Sequence, residues 1–212
     1  MFRTALYCLA AWWLALGVAV AGPWAEVGDA GLRSDIEVLS AAGVIDDITM
    51  QWPLPWGGIL GRLDQPGALD GQPDYVRDAA MRVRARGMAE TETHELHASV
   101  TVDATNEPAV VRGFDALGRQ TVQGQATVEY LWDSTAVHLA AGAQTTSRTD
   151  HQALLLDGSY FTQRIGNAAI YAGYRTHWWG PGWISALSLS NNARPMPQIG
   201  ISRADTAPFE SP

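Results

Sequence analysis

The chain has 212 residues, with 14 arginines and no lysine against 22 acidic residues, a formal charge of −8. That balance argues against a general nucleic-acid binder, which needs a net basic surface to meet phosphate. Hydrophobic residues make up 47% and charged ones only 17%, with 21 Gly, 9 Trp and 6 Tyr, and this excludes a solvated, disordered chain.

At the start, Arg3 precedes an apolar run from Ala5 to Val20 that ends in Ala19-Val20-Ala21 before Gly22. This is the layout of a cleaved secretory signal peptide over residues 1–21. A membrane anchor is the alternative, but about 16 apolar residues are short for a hydrocarbon core and no basic cluster follows. Cys8, the single cysteine, lies inside the run. The exported chain therefore has no disulfide, no thiol nucleophile and no Cys-based zinc site. It carries 13 arginines against 22 acids, a formal charge of −9.

Residues 22–92 read as a helical element. Asp29 is placed to cap a helix over 30–42, with Leu32, Ile36 and Leu39 on one face and Gly43 where a left-handed C-cap is expected. In the stretch from Gln51 to Gly58, Pro53 and Pro55 argue for a turn that Trp52 and Trp56 pin to a neighbouring surface. A second helix is predicted from Pro73 to Ala89, its arginines Arg77, Arg82, Arg84 and Arg86 on a solvated face.

From residue 93 to 212 the period is 2. In 94–103, His94, Leu96, Ala98, Val100 and Val102 alternate with Glu95, His97, Ser99, Thr101 and Asp103. The stretches 121–132 and 135–145 repeat the pattern, and only Asp133 and Ser134 separate them, which predicts a tight hairpin. Further strands fit 153–163 and 168–178 around a Gly166-Asn167 turn, with a sixth after Ile184. Strands of about ten residues joined by alternately short and long connections suit a tilted membrane crossing with brief periplasmic turns and longer external loops. Tyr130, Trp132, Tyr160, Tyr174 and Trp178 stand near strand ends where an interfacial girdle is expected. A soluble antiparallel sandwich also alternates and remains the other architecture.

Four segments carry a resemblance. GLRSDIEVLSAAGVIDDITMQWPLPWGGI at 31–59, LDGSYFTQRIGN at 156–167, and WWGPGW at 178–183 followed by SNNARPMPQIGISR at 190–203 are similar to the Wzi-type capsule assembly proteins. The resemblance implies a mainly β chain, part of a transmembrane antiparallel outer-membrane β-barrel preceded by a small periplasmic α-helical element. It also implies a lectin for capsular polysaccharide, embedded in outer-membrane lipid, anchoring capsule at the cell surface alongside the capsule export machinery. Only 29 residues follow Trp183, room for one or two more strands, and an open sheet edge in lipid leaves backbone groups without partners. The chain is therefore expected to be the N-terminal portion of a longer barrel. Completion of a smaller barrel by oligomerisation is the alternative.

No catalytic motif is present: there is no Gly-x-Ser-x-Gly elbow, no His-Glu-x-x-His and no phosphate-cradling loop. No enzyme activity, cofactor or metal is expected. His94 and His97 fall on opposite faces of a strand, and the adjacent acids Asp46 and Asp47 read as solvated. A polysaccharide site is easier to build, from indoles that stack on sugar faces, amides that bond hydroxyls and arginines that fork onto carboxylates. Trp178, Trp179, Trp183, Asn191, Asn192 and Arg194 supply these types, although tryptophans flanking Gly180-Pro181-Gly182 also serve to hold a loop shut. Because the chain is net negative, an anionic glycan requires arginines gathered locally, and Arg112, Arg119 and Arg148 stand in or beside the long connections. Counting crossings puts WWGPGW on the external side, and puts Arg175 and His177 on the hydrophilic phase. A pore for small solutes is the rival function.

Overall fold

The computed structural model describes residues 23–46, 49–109, 111–115, 118–145 and 153–205. The signal peptide expected at 1–21, Asp47 and Arg148 lie outside these. In chain order the elements are β1 (Trp24–Ala25), α1 (Ala30–Ala41), β2 (Gln51–Trp52), β3 (Leu54–Pro55), α2 (Trp56–Leu63) and α3 (Asp74–Glu90). Then come β4 (Leu96–Ala104), β5 (Val122–Leu131), β6 (Thr135–Gln144), β7 (Leu154–Leu155), β8 (Tyr160–Ile165), β9 (Ala168–Gly173), β10 (Trp178–Trp179) and β11 (Gln198–Arg203).

The capped helix forms as its sequence predicts. Asp29 accepts from the Leu32 backbone N–H at 2.9 Å, satisfying one of the orphan donors of the first turn. Gly43 takes φ +70° beyond the helix end. The second predicted helix is α3. Between them α2 is an addition, because the two prolines of the 51–58 stretch precede the helix instead of interrupting it. Pro55 is its N-cap, a place where the missing N–H costs nothing. The three helices share one apolar core, built on Leu32, Ile36 and Leu39 of α1, Trp56, Ile59 and Leu63 of α2, and Val76 and Val83 of α3. Gly87 lets α3 approach α2, since a Cβ there would meet Trp56 Cε3 at 2.8 Å and Leu60 Cδ2 at 2.9 Å.

Seven of the strands form one antiparallel sheet in the order β11-β9-β8-β6-β5-β4, with β7 added on β6, while β1 pairs with β3 and β2 with β10. The Asp133-Ser134 hairpin closes through Trp132 N–H to Thr135 O at 2.7 Å, as the sequence predicts. The 153–163 strand is instead divided into β7 and β8 by a turn at Asp157-Gly158, where Gly158 has φ +92°. The 168–178 strand ends early at Gly173, and the final strand begins at Gln198. Among the described residues the sheet does not close on itself, so β4 and β11 are its edges.

Register sorts the side chains into two faces. One row across the sheet runs Leu96, Tyr130, Val137, Phe161, Ala172, Ile199, and this face is apolar and exposed at Leu96, Val100, Val102, Leu139, Phe161, Ile199 and Ile201. The neighbouring row on the opposite face runs His97, Glu129, His138, Tyr160. Tyr160 donates to Glu129 Oε1 at 3.1 Å, and His138 Nδ1 lies 3.3 Å from Glu129 Oε2. This hydrophilic face receives the helical unit: Trp24 stands edge-on to Tyr160 and Tyr171 at 5.6 and 5.9 Å, and the Arg175 guanidinium covers Trp24 at 3.6 Å. Two members of the expected girdle are therefore elsewhere. Tyr160 is buried under Trp24 and Trp178 lies in the helical core, because each meets an aromatic partner there. Tyr130 and Trp132 keep the strand-end position, with ring centroids 4.4 Å apart. No described helix is long and apolar enough to cross a membrane.

Glu90 ties α3 to α2, accepting from Trp56 Nε1 at 2.7 Å and from Arg86. Burial pushes its carboxyl up to about 7, opposed by the Arg86 charge and by both hydrogen bonds, which favour the ionised form. A carboxyl raised in the folded state holds a proton that the unfolded chain releases, so its contribution is full below the ordinary carboxyl range and is lost as pH rises through about 7. Thermal unfolding followed by helical circular dichroism should therefore show stability falling from about pH 5 to pH 8, and Glu90→Gln should flatten that slope. An unchanged slope in the variant would assign the dependence to another group.

Candidate functional site

The two long connections, 105–121 and 174–197, do not project away from the sheet. Their described residues turn back onto the helical unit, and WWGPGW packs there. Trp178 and Trp179 pair as β10 with Trp52 and Gln51 of β2. The organising side chain is Arg33 of α1, which is 1% exposed. Its guanidinium lies 4.5 Å from the Phe114 ring and 4.6 Å from the Trp183 ring. It donates to Pro181 O at 2.8 Å, Gly182 O at 3.1 Å and Glu37 Oε1 at 2.8 Å. The turn is held from its other side as well: Trp178 Nε1 donates to Gly182 O at 2.9 Å and Trp183 Nε1 to Glu37 Oε2 at 3.2 Å. Phe114 N–H donates to Trp183 O at 2.7 Å, joining the two connections.

Beyond this clamp the predicted site residues form a second network. Asn191 Nδ2 donates to Gly113 O at 2.8 Å, and the Arg112 backbone N–H donates to Asn192 Oδ1 at 2.6 Å. Arg112 Nη1 donates to Asn191 O at 3.2 Å, while Arg119 donates to Asn191 O and, at 2.9 Å, to Ala193 O. Arg194 is directed elsewhere, forking onto the Asp157 carboxylate at 2.9 and 3.1 Å. Trp178 and Asn191 are buried, so they hold the scaffold, whereas Trp179 and Trp183 remain 39% and 38% exposed.

Arg112, Arg119 and Asn191 border a cavity of about 290 Å³ whose far wall is the hydrophilic face of the sheet, with Thr101, Gln125 and His138. Sequence reasoning placed the loop residues together but missed this wall. The signal was available in the hydrophilic phase of the strands, where Thr101 faces Gln125 and His97 faces Glu129. Burial, and next the neighbouring Arg119 charge, lower Arg112 to about 10. Burial, and next the Arg175 charge, hold His177 below its ordinary value. His177 accordingly serves as a hydrogen-bond partner, 3.1 Å from Gln198 Oε1. Among the described residues no group of three or more His, Cys, Asp and Glu side chains is placed to hold a metal ion.

Residues 92–212 match the family model described as capsule assembly protein Wzi. The chain belongs to the Wzi capsule assembly family. The match takes in the whole sheet and both long connections, while the helical core lies ahead of it. Among relatives of the Wzi family member described here is an uncharacterized 55.8 kDa protein in the cps region of Klebsiella pneumoniae. It is 24% identical over 190 residues, a match covering 87% of this chain and 36% of that protein. The fold is similar to that of Wzi from Escherichia coli, an outer membrane protein involved in group 1 capsule assembly and described as a carbohydrate-binding β-barrel. That likeness has a TM-score of 0.74 at 23% identity, and it covers 89% of this chain and 42% of the other. The chain thus spans less than half the length of these relatives.

Because Arg33 binds three segments at once, Arg33→Met should loosen the WWGPGW turn while leaving the strands in place. The lost charged hydrogen bonds and ring contacts are worth on the order of 2–4 kcal/mol. Limited proteolysis should then cut within residues 184–197 in the variant and spare the parent. Equal resistance of the two would remove Arg33 from this role.

Proposed function

We propose that this Wzi family chain forms part of an outer-membrane β-barrel that binds capsular polysaccharide without catalysis and anchors it at the cell surface. One observation carries the reading: a sheet apolar and exposed on one face and hydrophilic on the other, with the hydrophilic face closing an arginine- and amide-bordered cavity under the long connections. An apolar face this extensive is costly in water and suits lipid. In this reading residues 1–21 direct export, the helical unit of 22–92 is periplasmic, and 93–212 contribute barrel strands beside others. The carbohydrate-binding description of the Escherichia coli relative supports the ligand class, and the cps-region relative supports the capsule context. A pore for small solutes fits less well, because the helical unit and both connections occupy the hydrophilic side.

Trp179 is exposed enough to stack on a sugar face and stands edge-on to His177 at 5.8 Å. In this reading Trp183, Asn192, Arg112 and Arg119 also contact the glycan, and Arg194 and Arg148 add charge. Detergent-extracted full-length protein should retain purified capsule in a pull-down. Trp179→Ala should reduce retention several-fold, given about 0.5–1.5 kcal/mol for one ring contact. Failure of the parent protein to retain capsule, together with large single-channel conductance in planar bilayers, would favour the pore instead.

A further inference from the structure

A second cavity, of about 340 Å³, lies between the helical unit and the β9–β11 end of the sheet. Pro53, Leu54 and Ile59 line it from the helical unit. Tyr171, His177 and Trp179 border it in series, with ring centroids 6.5 and 5.8 Å apart. Tyr171 lies over Gly200 of β11, where a Cβ would come within 2.5 Å of its ring. Trp179 stays 39% exposed although β10 pairs with β2, so packing leaves part of the indole open. Gln51 stands directly across from it in that pairing. Ser202 faces inward from β11, in register with Ala169, and its Oγ is buried with no hydrogen-bond partner among the described residues. Four charged side chains also line the cavity, two of each sign, and every one is already engaged. Asp46 pairs with Arg62 at 2.9 Å, Arg175 with Glu26 at 3.2 Å and Asp205 with Arg164 at 3.7 Å, while Arg203 has interactions of its own.

We propose that this cavity is a subsite for one uncharged pyranose residue of the bound glycan, its C–H face on the Trp179 indole and its hydroxyls on Ser202 Oγ and the Gln51 amide. The inference rests on the capsule-binding reading and says which kind of residue in the glycan engages Trp179. Aromatic rings in series offer the broad apolar faces on which a pyranose stacks. A wholly apolar ligand would leave Ser202 Oγ unpaired, which is unfavourable for a buried hydroxyl, whereas a sugar hydroxyl meets it. The charges decide between a neutral and an acidic residue. An arriving carboxylate would lose its water and find each lining arginine already committed, so burying it gains no new counter-charge. A volume of about 340 Å³ is at the small end of ligand pockets, which suits a single residue and not a run of the chain.

Because β11 is an edge among the described residues, the test uses the full-length protein in detergent. Saturation-transfer NMR titrations are run with the methyl glycosides of glucose, galactose and mannose and with methyl glucuronide. At least one neutral glycoside should bind, with saturation reaching its ring protons, and the glucuronide should bind at least about fivefold more weakly, the scale of one unfavourable polar contact. Trp179→Ala should remove the signal. Since Trp179 also sits in β10, Ser202→Ala provides a second variant. It deletes a hydroxyl without a partner among the described residues, so the melting temperature should hold or rise while affinity for the neutral glycoside falls about fivefold, the scale of one hydrogen bond. Three neutral glycosides without a Trp179-dependent signal, a glucuronide that binds as well as they do, or Ser202→Ala binding like the parent overturns the subsite. Capsule retention is measured on the same preparations: retention without a neutral-glycoside signal defeats the subsite alone, whereas that signal without retention defeats the capsule reading and leaves the sugar pocket standing.

Discussion

A buried guanidinium holds this molecule together. Arg33 has almost no contact with solvent, and a cation taken out of water is strongly unfavourable unless its donors and its charge are met. Here Glu37, Pro181 and Gly182 meet the donors, and the faces of Phe114 and Trp183 meet the charge. The partners come from three segments: α1 itself, the 174–197 connection and the 105–121 connection. The requirement to satisfy one side chain thus sets where both long connections lie. Once Trp183 and Phe114 are fixed, the backbone between Gly113 and Asn191 is brought within hydrogen-bonding range, and the arginine network follows from that.

The sheet poses the complementary problem. Its hydrophilic face carries Glu129, His138 and Tyr160 in one row, and these groups need partners or water. The helical unit covers only part of that face, through Trp24 and the Arg175 that lies on it. What remains uncovered toward the long connections is the cavity. The apolar core sits among the helices and not on the sheet, with Trp52, Phe114 and Trp178 joining it from outside the helices. The strands therefore contribute little core of their own, and their apolar side chains are turned the other way. In a soluble sandwich that arrangement would be reversed, with the valines and leucines of β4 to β6 facing a second sheet.

Much of this architecture was legible in the sequence. Period-2 alternation fixed the faces of β4, β5 and β6 correctly, because a strand with one lipid-like and one wet side leaves no freedom of register. The Asp29 cap and the two-residue hairpin were equally readable, since each is a local device. The helix at Trp56–Leu63 was not, because Pro53 and Pro55 carry the local signal of a breaker even where they stand just ahead of a first turn. The turning back of WWGPGW was also hidden. It depends on Arg33, nearly 150 positions away in the chain, and no local pattern reports a contact of that range. The same limit explains Trp178 and Asn191, whose residue types suited sugar recognition but whose burial is a property of the packed loops.

The arginines show how far chemistry alone carries. Residue type and loop position singled out Arg112, Arg119 and Arg194 together, yet the fold separates them by what each donates to. Arg194 meets a carboxylate, so an approaching anion would have to displace an existing ion pair. Arg112 and Arg119 donate to backbone carbonyls of 191–193, which orient both guanidinium groups. In a chain of net charge −8, long-range attraction for an acidic glycan is absent, and any selectivity has to arise at contact distance. The fold gathers Arg112 and Arg119 on the 191–193 backbone and sets Arg194 on Asp157, so the packing of the connections, more than the number of arginines, sets where such contacts can form.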